Sequence, residues 1–587
     1  MELLDIRKMR VEFPSRRGHV VAVQELSLTL SPGEILGIVG ESGAGKSTIG
    51  NAIIGLLEPP GELTGGEIYL QGERIDNLSD SEKRLIRGGE IGMIFQDPLT
   101  SLDPLQTIET QLLDTILLHL PLSLPEAQQR AVELLDAVGI PDPQSRIKEY
   151  PHQFSGGMRQ RVVIALALCA EPKLIIADEP TTALDVSVQA QILELMKGLC
   201  RDRNVGMILI THDMGVIAET ADRVAVMYRG RVVETGTTSQ IITAPEHDYT
   251  QSLISAVPRP DRRVDRFPLV TYIEDAQERP EGLDLDSHWL GQSRDFGEQH
   301  ANLVDVSDLS MRFITRHSMF PSKRRYLEAV RQVNFSIGTG EVFGLVGESG
   351  SGKSTVARMI TGIYPPTGGT ITFAGQELTA LRTRREAAPW RRQMQMVFQD
   401  PFSSLNGRMR VRDIIAEPIM FHKLAASRSE ATTIVDDLLD IVGLGAQAAM
   451  KFPHEFSGGQ RQRISIARAL ATQPRFLICD EPTSALDVSI QAQILNLLKD
   501  LQEELNLTML FISHDLPVIR QMCDRVGVMR HGQLLEIAET EKLFTQPEHE
   551  YTAHLLELMP RFSGFELHAG LPDQQQSTSR NNLNVQP

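Results

Sequence analysis

The sequence contains no long, uninterrupted run of apolar residues. Its best candidate, residues 112–124, is broken by Asp114, His119 and Pro121, whereas a spanning helix needs about 20 apolar residues. The first residues also lack a basic stretch followed by an apolar core, which a secretory signal requires. We therefore expect neither a membrane span nor a signal peptide.

Cysteine is also scarce. The four residues Cys169, Cys200, Cys479 and Cys523 lie far apart, and no CxxC pair occurs. Zinc ribbons, iron–sulfur clusters and disulfide frameworks need closer or paired cysteines. We expect free thiols in a reducing cytoplasm.

Positive charge is the third shortage. The chain has 58 Lys and Arg against 76 Asp and Glu, a formal net charge of −18. A basic stripe is the electrostatic footprint of a nucleic-acid binder. The acidic total therefore argues against nucleic acid as the partner.

The dominant positive feature is an internal repeat. At 587 residues the chain is too long for a single hydrophobic core, and landmarks of its first half recur about 302 to 307 positions later. So long a period indicates duplicated domains rather than a solenoid. Residues 258–302 have no second copy and have the proline and charge content of a linker. We expect domains at 1–257 and 303–571, a linker at 258–302 and a disordered tail at 572–587.

Short apolar runs alternate with helical patterns in each half. Residues 35–39, 174–177 and 207–210 form apolar strands that each lead into a polar motif. Strands separated by helices predict an α/β fold with a mainly parallel sheet. Chemistry is then expected at the carboxyl ends of the strands.

The first of these motifs matches G-x-x-x-x-G-K-[ST] twice. Its glycines allow backbone N–H groups to approach phosphate oxygens, and the following helix adds its positive end. The lysine then reaches the β- and γ-phosphates and the next serine binds Mg²⁺. The two copies are Gly40, Glu41, Ser42, Gly43, Ala44, Gly45, Lys46, Ser47 and Thr48, and Gly347, Glu348, Ser349, Gly350, Ser351, Gly352, Lys353, Ser354 and Thr355.

An acidic pair ends a later strand in both halves. Asp178 and Asp480 suit Mg²⁺, which prefers oxygen ligands. Glu179 and Glu481 are placed to activate the attacking water as general bases. A loop or helix cap would explain one such pair, but not two pairs that each accompany a phosphate loop.

A Ser-Gly-Gly motif precedes the acidic strand in both halves. A serine hydroxyl and glycine amides at a helix N-terminus can bind an anion without lysine. A lone copy would be only a helix cap. The motif residues are Ser155, Gly156 and Gly157, and Ser457, Gly458, Gly459 and Gln460.

These elements, in this order, resemble the ATP-binding-cassette ATPase family over nearly all of both halves. The resemblance implies two P-loop NTPase domains, each with a mainly parallel core sheet, a helical subdomain and an antiparallel β subdomain. It implies ATP and Mg²⁺ as cofactors. It assigns Gln96 and Gln399 to Mg²⁺ and to sensing the transmembrane partner, His212 and His514 to the γ-phosphate, and Asp185 and Asp487 to the loop linking the two sites.

The family mechanism also implies composite sites. Ser457 would face the ATP bound at Lys46, and Ser155 the ATP bound at Lys353. Met158 stands where the family has glutamine; we expect two competent sites, with the site that uses Met158 slower. The family stacks adenine on an aromatic residue upstream of the phosphate loop; the candidates are Tyr326 in the second half and His19 or Phe13 in the first, and a solvated strand residue explains these positions equally well.

The closest subfamily resemblance is to fused ATPases of dipeptide, oligopeptide and glutathione importers. It rests on residues 97–104 and 400–406 after each glutamine, and on Pro-Glu-His-Asp-Tyr-Thr at 245–250 with its twin at 547–552. Apolar residues from 112 to 135 have helical periodicity, like the subdomain that docks on membrane subunits. Many relatives have a cysteine cluster in the C-terminal extension, which this chain lacks.

The resemblance implies two permease subunits, an extracytoplasmic solute-binding protein and a peripheral position on the cytoplasmic face of the bacterial inner membrane. Importers of opines, sugars or nickel chelates are alternatives. So is a soluble tandem protein acting on ribosomes, although its relatives carry a long helical linker. DNA-repair relatives carry zinc-finger cysteines. A structural protein that binds ATP without turnover conflicts with two intact general bases.

Overall fold

The computed structural model of the chain describes residues 2–15, 18–181, 186–259, 261–269, 289–291, 301–316, 325–484 and 486–559. Most of the predicted linker, the predicted tail and Asp185 lie outside these residues. Two domains of the same architecture follow one another, one from the first strand to residue 259 and one from residue 301 onward.

The first domain contains two sheets. Its strands are β1 (Leu4–Ser15), β2 (Gly18–Leu30), β3 (Ile35–Gly40), β4 (Glu62–Leu70), β5 (Glu73–Arg74), β6 (Ile91–Ile94), β7 (Leu174–Asp178), β8 (Gly206–Ile210), β9 (Arg223–Tyr228) and β10 (Arg231–Thr237). The order β2-β1-β4-β5 forms an antiparallel sheet, and β10-β9-β3-β8-β7-β6 forms the core sheet. Only the edge strand β10 runs antiparallel in the core sheet.

The core strands are apolar because both faces of the sheet are covered. Every residue of β3, β7 and β8 is buried, as expected for parallel strands under helices. The helices of this domain are α1 (Lys46–Ile53), α2 (Asp80–Ile86), α3 (Pro98–Ser101), α4 (Ile108–His119), α5 (Leu124–Ala137), α6 (Pro143–Arg146), α7 (Gly156–Leu168), α8 (Val186–Arg203), α9 (Met214–Thr220), α10 (Thr238–Thr243) and α11 (Asp248–Ser255).

The second domain repeats this plan. Its strands are β11 (Asn302–Arg316), β12 (Arg325–Gly338), β13 (Val342–Val346), β14 (Gly368–Phe373), β15 (Gln376–Glu377), β16 (Met394–Val397), β17 (Phe476–Asp480), β18 (Thr508–Ile512), β19 (Arg525–Arg530) and β20 (Gln533–Glu539). Sheet orders β12-β11-β14-β15 and β16-β17-β18-β13-β19-β20 match those of the first domain.

The helices of the second domain also correspond to those of the first, except that a 3₁₀ helix (Ala446–Met450) stands in place of α6. They are α12 (Lys353–Ile360), α13 (Arg384–Gln393), α14 (Pro401–Ser404), α15 (Val411–Phe421), α16 (Arg428–Ile441), α17 (Gly458–Leu470), α18 (Val488–Leu505), α19 (Leu516–Met522), α20 (Thr540–Thr545) and α21 (Glu550–Glu557). The predicted α/β fold, parallel cores and antiparallel subdomains are therefore confirmed.

The helical subdomains lie between the sixth and seventh strands of each domain. In the first, Thr107 caps α4 by accepting a hydrogen bond from the Thr110 amide. Ser123 and Glu126 form a reciprocal capping box at the start of α5, which satisfies amides that the helix itself cannot pair. The predicted apolar periodicity of residues 112–135 falls on α4 and α5, whose buried faces pack into the domain core.

Residues that follow the first domain pack against the second. The Asn496 side chain on α18 accepts from the Phe267 amide and donates to the Phe267 carbonyl, each at 2.9 Å. The Phe267 ring is buried, and the Arg266 guanidinium pairs with Asp500 and Glu503. This short segment therefore ties the chain leaving the first domain to helix α18.

The four cysteines are buried and form no disulfide bonds. Burial raises the pKa of Cys169, Cys200 and Cys479 to about 12, so these thiols are protonated at neutral pH. None of the described helices combines the length and the apolarity that a membrane span requires.

Candidate active site

Both phosphate loops lie at the carboxyl ends of buried strands, as predicted. Gly40 ends β3 with a φ of 149°, and a Cβ there would overlap the Met227 carbonyl oxygen. Glycine is required at this point because the loop passes so close to β9. Gly45, with a φ of 95°, then begins α1, whose first residue is Lys46.

Each loop folds around its lysine. Lys46 Nζ donates to the carbonyls of Gly40 at 2.7 Å and Glu41 at 2.9 Å. Lys353 Nζ donates to the corresponding carbonyls of Gly347 and Glu348 at 2.6 and 2.9 Å. Both lysines are buried, and burial lowers the pKa of Lys46. Each ammonium group is thus held by two backbone carbonyls of its own loop.

Two of the three predicted magnesium ligands meet in each domain, whereas the side chain of the third, a glutamine, donates to the neighbouring glutamate. Ser47 Oγ donates to Asp178 Oδ1 at 3.1 Å, and Ser354 Oγ donates to Asp480 Oδ1 at 2.9 Å. Burial raises the pKa of Asp178 to about 6, and it raises that of Asp480 as well. A hydroxyl and a carboxylate side by side form the hard oxygen pair that Mg²⁺ prefers, so these residues fit the metal.

The glutamate that follows each aspartate joins a three-residue cluster. In the first domain, Glu179 Oε2 accepts from Gln96 Nε2 at 2.8 Å and Oε1 lies 3.1 Å from His212 Nδ1. The backbone of Glu179 has a φ of 48°, a left-handed conformation that is costly for a residue with a Cβ. This turn directs the carboxylate out of the sheet, toward glutamine and histidine.

The second domain repeats the cluster. Glu481 Oε2 accepts from Gln399 Nε2 at 2.7 Å and lies 3.3 Å from His514 Nδ1. Burial opposes the charge of Glu481, but hydrogen bonds from His514 and Gln399 hold its pKa below its ordinary value. Burial likewise opposes the charge of His514, yet bonding to Glu481 raises the pKa of the imidazole. The Glu481 carboxylate is therefore ionised at neutral pH.

The signature serines begin long helices. Ser155 caps α7 and its Oγ accepts from the Met158 amide at 3.3 Å. Ser457 caps α17 and its Oγ accepts from the Gln460 amide at 3.4 Å. Both serines are exposed, as are Gly156 and Gly458 beside them. A helix N-terminus presented to solvent in this way can bind an anion.

Met158 changes the first of these caps. In the second domain the Gln460 Oε1 accepts from the Ser457 amide at 3.2 Å, which completes a capping box. The Met158 thioether cannot accept a hydrogen bond from the Ser155 amide as the glutamine oxygen does from the Ser457 amide. Its sulfur lies instead 3.7 Å from Arg146 Nη1. The first signature therefore has one capping hydrogen bond fewer than the second.

The second domain meets the first beside the first phosphate loop. Asp487, which caps α18 of the second domain, acts electrostatically on Lys46, Glu41 and His212 of the first. A cavity of about 180 Å³ is lined from one side by the loop of His212 and from the other by the loop of His514. The aspartate predicted to link the sites thus lies beside the first phosphate loop.

The predicted adenine-stacking residues differ in exposure. Tyr326 on β12 is 51% exposed, so its ring is available to a ligand. His19 occupies the equivalent place on β2 and is also exposed. The Phe13 ring packs into the core of the first domain, next to Gly61. Of the two candidates in the first domain, His19 is exposed and Phe13 is partly buried.

Two contacts of the first site were missed by sequence reasoning. Glu41 donates its amide proton to Tyr249 Oη at 3.2 Å. The Ser489 hydroxyl of the second domain lies beside the Glu41 carboxyl group, without good hydrogen-bond geometry. The available signals were a carboxylate inside a phosphate-binding loop and a tyrosine in the repeated motif at 245–250.

Each site combines a buried loop lysine with a serine–aspartate oxygen pair and a glutamate that is hydrogen-bonded to glutamine. This combination defines a nucleoside triphosphatase of the phosphate-loop class. The comparisons are more specific. The family model described as ABC transporter matches residues 23–182 and 330–484, and the model described as Oligopeptide/dipeptide transporter, C-terminal region, matches residues 233–282 and 535–582. The chain belongs to the ABC transporter ATPase family.

Similar proteins match along most of their length. The Glutathione import ATP-binding protein GsiA of Escherichia coli (strain K12) is 44% identical over 95% of this chain and 89% of its own. GsiA of Salmonella choleraesuis (strain SC-B67) is 44% identical over 95% of this chain and 90% of its own. The predicted resemblance to fused importer ATPases is therefore confirmed.

Proposed function

We propose that this chain hydrolyses ATP at two sites and thereby drives a binding-protein-dependent importer of small peptide-like solutes. The observation that carries the proposal is the duplicated cluster of glutamine, glutamate and histidine beside each phosphate loop. Glu179 and Glu481 act as general bases. His212 and His514 contact the γ-phosphate, and Mg²⁺ is held by Ser47, Asp178 and Gln96 and by their second-domain counterparts.

The proposed sites are composite. ATP on Lys46 is completed by Ser457, and ATP on Lys353 is completed by Ser155. The position of Asp487 beside Lys46 supports this head-to-tail arrangement. Loss of the γ-phosphate removes contacts that bridge the domains, so hydrolysis lets them separate.

Exposed apolar residues of the helical subdomains support docking to two permease subunits. Leu118 at the end of α4 is 71% exposed, and Phe421 at the equivalent end of α15 is 76% exposed. In the second domain Phe402 on α14 is also exposed, three residues after Gln399. An apolar surface next to the glutamine would transmit a movement of the permease to the glutamine and, through its hydrogen bond, to the catalytic glutamate.

The cargo follows from the relatives. Proteins 44% identical over nearly the whole chain are glutathione import ATPases, and a C-terminal region typical of oligopeptide and dipeptide transporters occurs twice. We assign glutathione or short peptides as the solute. The proposal also includes domain limits at 1–257 and 303–571 and a peripheral position on the cytoplasmic face of the inner membrane.

Reconstitution tests it. The chain is purified with its permease pair, placed in liposomes with the solute-binding protein, and assayed for ATP-dependent uptake of labelled glutathione and dipeptides. The matched control is the same complex with Glu179→Gln and Glu481→Gln. Uptake that requires both ATP and the glutamates supports the proposal. Co-purification with ribosomes in place of permeases would contradict it.

A further inference from the structure

The repeated motif at residues 245–250 builds a specific turn. The Glu234 carboxylate on β10 accepts from the amides of Glu246 at 2.8 Å and His247 at 3.1 Å. His247 Nδ1 then accepts from the Tyr249 amide at 3.1 Å as α11 begins. The turn therefore fixes the backbone position of Tyr249.

The second domain builds the same turn. Glu536 accepts from the amides of Glu548 and His549 at 2.8 and 3.1 Å, and His549 Nδ1 accepts from the Tyr551 amide at 3.0 Å. Because the pattern recurs with the same partners, it is a constructed feature of the C-terminal extension rather than a chance arrangement of one loop.

Tyr249 enters the core and reaches the phosphate loop. Its side chain is fully buried, with the ring centroid 4.5 Å from that of Tyr228 at the end of β9. Its Oη accepts from the Glu41 amide at 3.2 Å. Burial raises the pKa of Tyr249 well above its ordinary value, so the hydroxyl is neutral at every working pH.

Glu41 connects three parts of the molecule. Its amide binds Tyr249, and its carbonyl accepts from Lys46 Nζ at 2.9 Å. Its buried carboxyl group, whose pKa is raised by burial, lies beside Ser489 of the second domain. A shift of the Glu41 backbone would therefore move the lysine and the domain contact together.

We propose that Tyr249 is a positioning residue for the first ATP site, through which the C-terminal extension holds the entrance of the phosphate loop in its nucleotide-binding conformation. The inference rests on the proposed function of this loop as an ATP site. Tyr249 touches no reacting atom and acts only through Glu41 and Lys46. Through these contacts the C-terminal extension directly influences how tightly the first site binds nucleotide.

The test measures nucleotide affinity at the first site alone. The full chain carrying Lys353→Ala, which disables the second loop, is titrated with a non-hydrolysable ATP analogue and Mg²⁺ by calorimetry. Adding Tyr249→Phe keeps the ring and removes the hydroxyl. Loss of this part-buried hydrogen bond from the Glu41 amide predicts a dissociation constant raised about tenfold, equivalent to about 1.4 kcal/mol.

The matched control is Tyr69→Phe in the same background. Tyr69 Oη donates to Glu67 at 2.9 Å on the antiparallel sheet, so the control also loses one hydroxyl hydrogen bond, but at a distance from the loop. We expect its affinity to equal that of the parent. Equal affinity for Tyr249→Phe and the parent would overturn the inference, whereas a parent that binds no analogue would overturn the proposed ATP site itself.

Three further measurements separate positioning from general stability. Hydrogen exchange of a peptide spanning Glu41 is expected to accelerate in Tyr249→Phe but not in Tyr69→Phe. Glu234→Gln, which weakens the turn and leaves the tyrosine intact, is expected to weaken nucleotide binding less than Tyr249→Phe does.

In the Tyr249→Phe protein with Lys353 intact, we expect a higher KM for ATP with little change in kcat. A lower kcat at unchanged KM would contradict a role in holding the loop.

Discussion

The amide nitrogen of Gln399 lies 2.7 Å from Oε2 of Glu481. The glutamine directly follows Phe398 at the entrance to the helical subdomain, while the glutamate directly follows the core strand β17. One hydrogen bond therefore joins the surface proposed to contact a permease with the general base proposed for hydrolysis. The first domain has the same bond between Gln96 and Glu179, at 2.8 Å.

Replacing Gln399 with alanine removes this connection. We expect Gln399→Ala to lower kcat by about tenfold at saturating ATP and Mg²⁺, because the general base is no longer held in place. The matched control is Gln395→Ala on β16, whose side chain donates only to the Arg391 carbonyl among the hydrogen bonds observed here. An unchanged kcat in Gln399→Ala would contradict the positioning role.

Restoring glutamine at position 158 completes the first capping box. We expect Met158→Gln to stabilise the first domain by about 0.5–1 kcal/mol, the usual contribution of a cap interaction. The reciprocal change Gln460→Met is expected to destabilise the second domain by a similar amount. Urea denaturation compares the variants, and steady-state ATPase assays test whether Met158→Gln raises the rate. A Met158→Gln protein no more stable than the parent contradicts the capping argument.

The Glu481–His514 pair predicts a pH dependence. The imidazole has its pKa raised above the ordinary 6.5, so its contribution to stability is complete below pH 6.5 and is lost as the pH rises through the folded value. The pKa of Glu481 is lowered, so its contribution is present above the ordinary 4.5 and is lost as the pH falls through the folded value. The pair stabilises the fold most between these limits.

A histidine titration checks this assignment. In Glu481→Gln the carboxylate that charges the imidazole is gone and burial remains, so we expect the pKa of His514 to fall below 6.5. The measurement is an NMR titration of selectively labelled histidines, with His514→Gln used to assign the signal. A pKa that stays above 6.5 in Glu481→Gln would show that another group charges the ring.

Phe267→Ala tests the contact between the segment that leaves the first domain and helix α18. The ring is 3% exposed, and truncation of a buried phenylalanine costs about 3–5 kcal/mol. We expect the urea midpoint of the second domain to fall accordingly. The control is Leu269→Ala, two residues later and 49% exposed, which should leave the midpoint unchanged. Equal midpoints for Phe267→Ala and the parent would contradict a stabilising contact.

Sequence alone predicted the features that depend on local chemistry. The glycine loops, the Asp-Glu strand ends and the Ser-Gly-Gly caps each require particular residues at fixed spacing, so their positions were readable without a structure. Tyr249 and Ser489 were not, because their roles depend on where a distant extension and the other domain meet Glu41. The packing of Phe267 on α18 was hidden for the same reason, since composition marked its segment only as a linker.

The central claim is that both ATP sites turn over. The most direct measurement compares steady-state ATPase rates of the parent, Glu179→Gln, Glu481→Gln and the double variant, with ATP binding measured in each. The account predicts that each single change lowers the rate strongly, that the double change abolishes it, and that all four proteins bind ATP. A single glutamine variant with the full rate of the parent would contradict it, because that site would then contribute no hydrolysis.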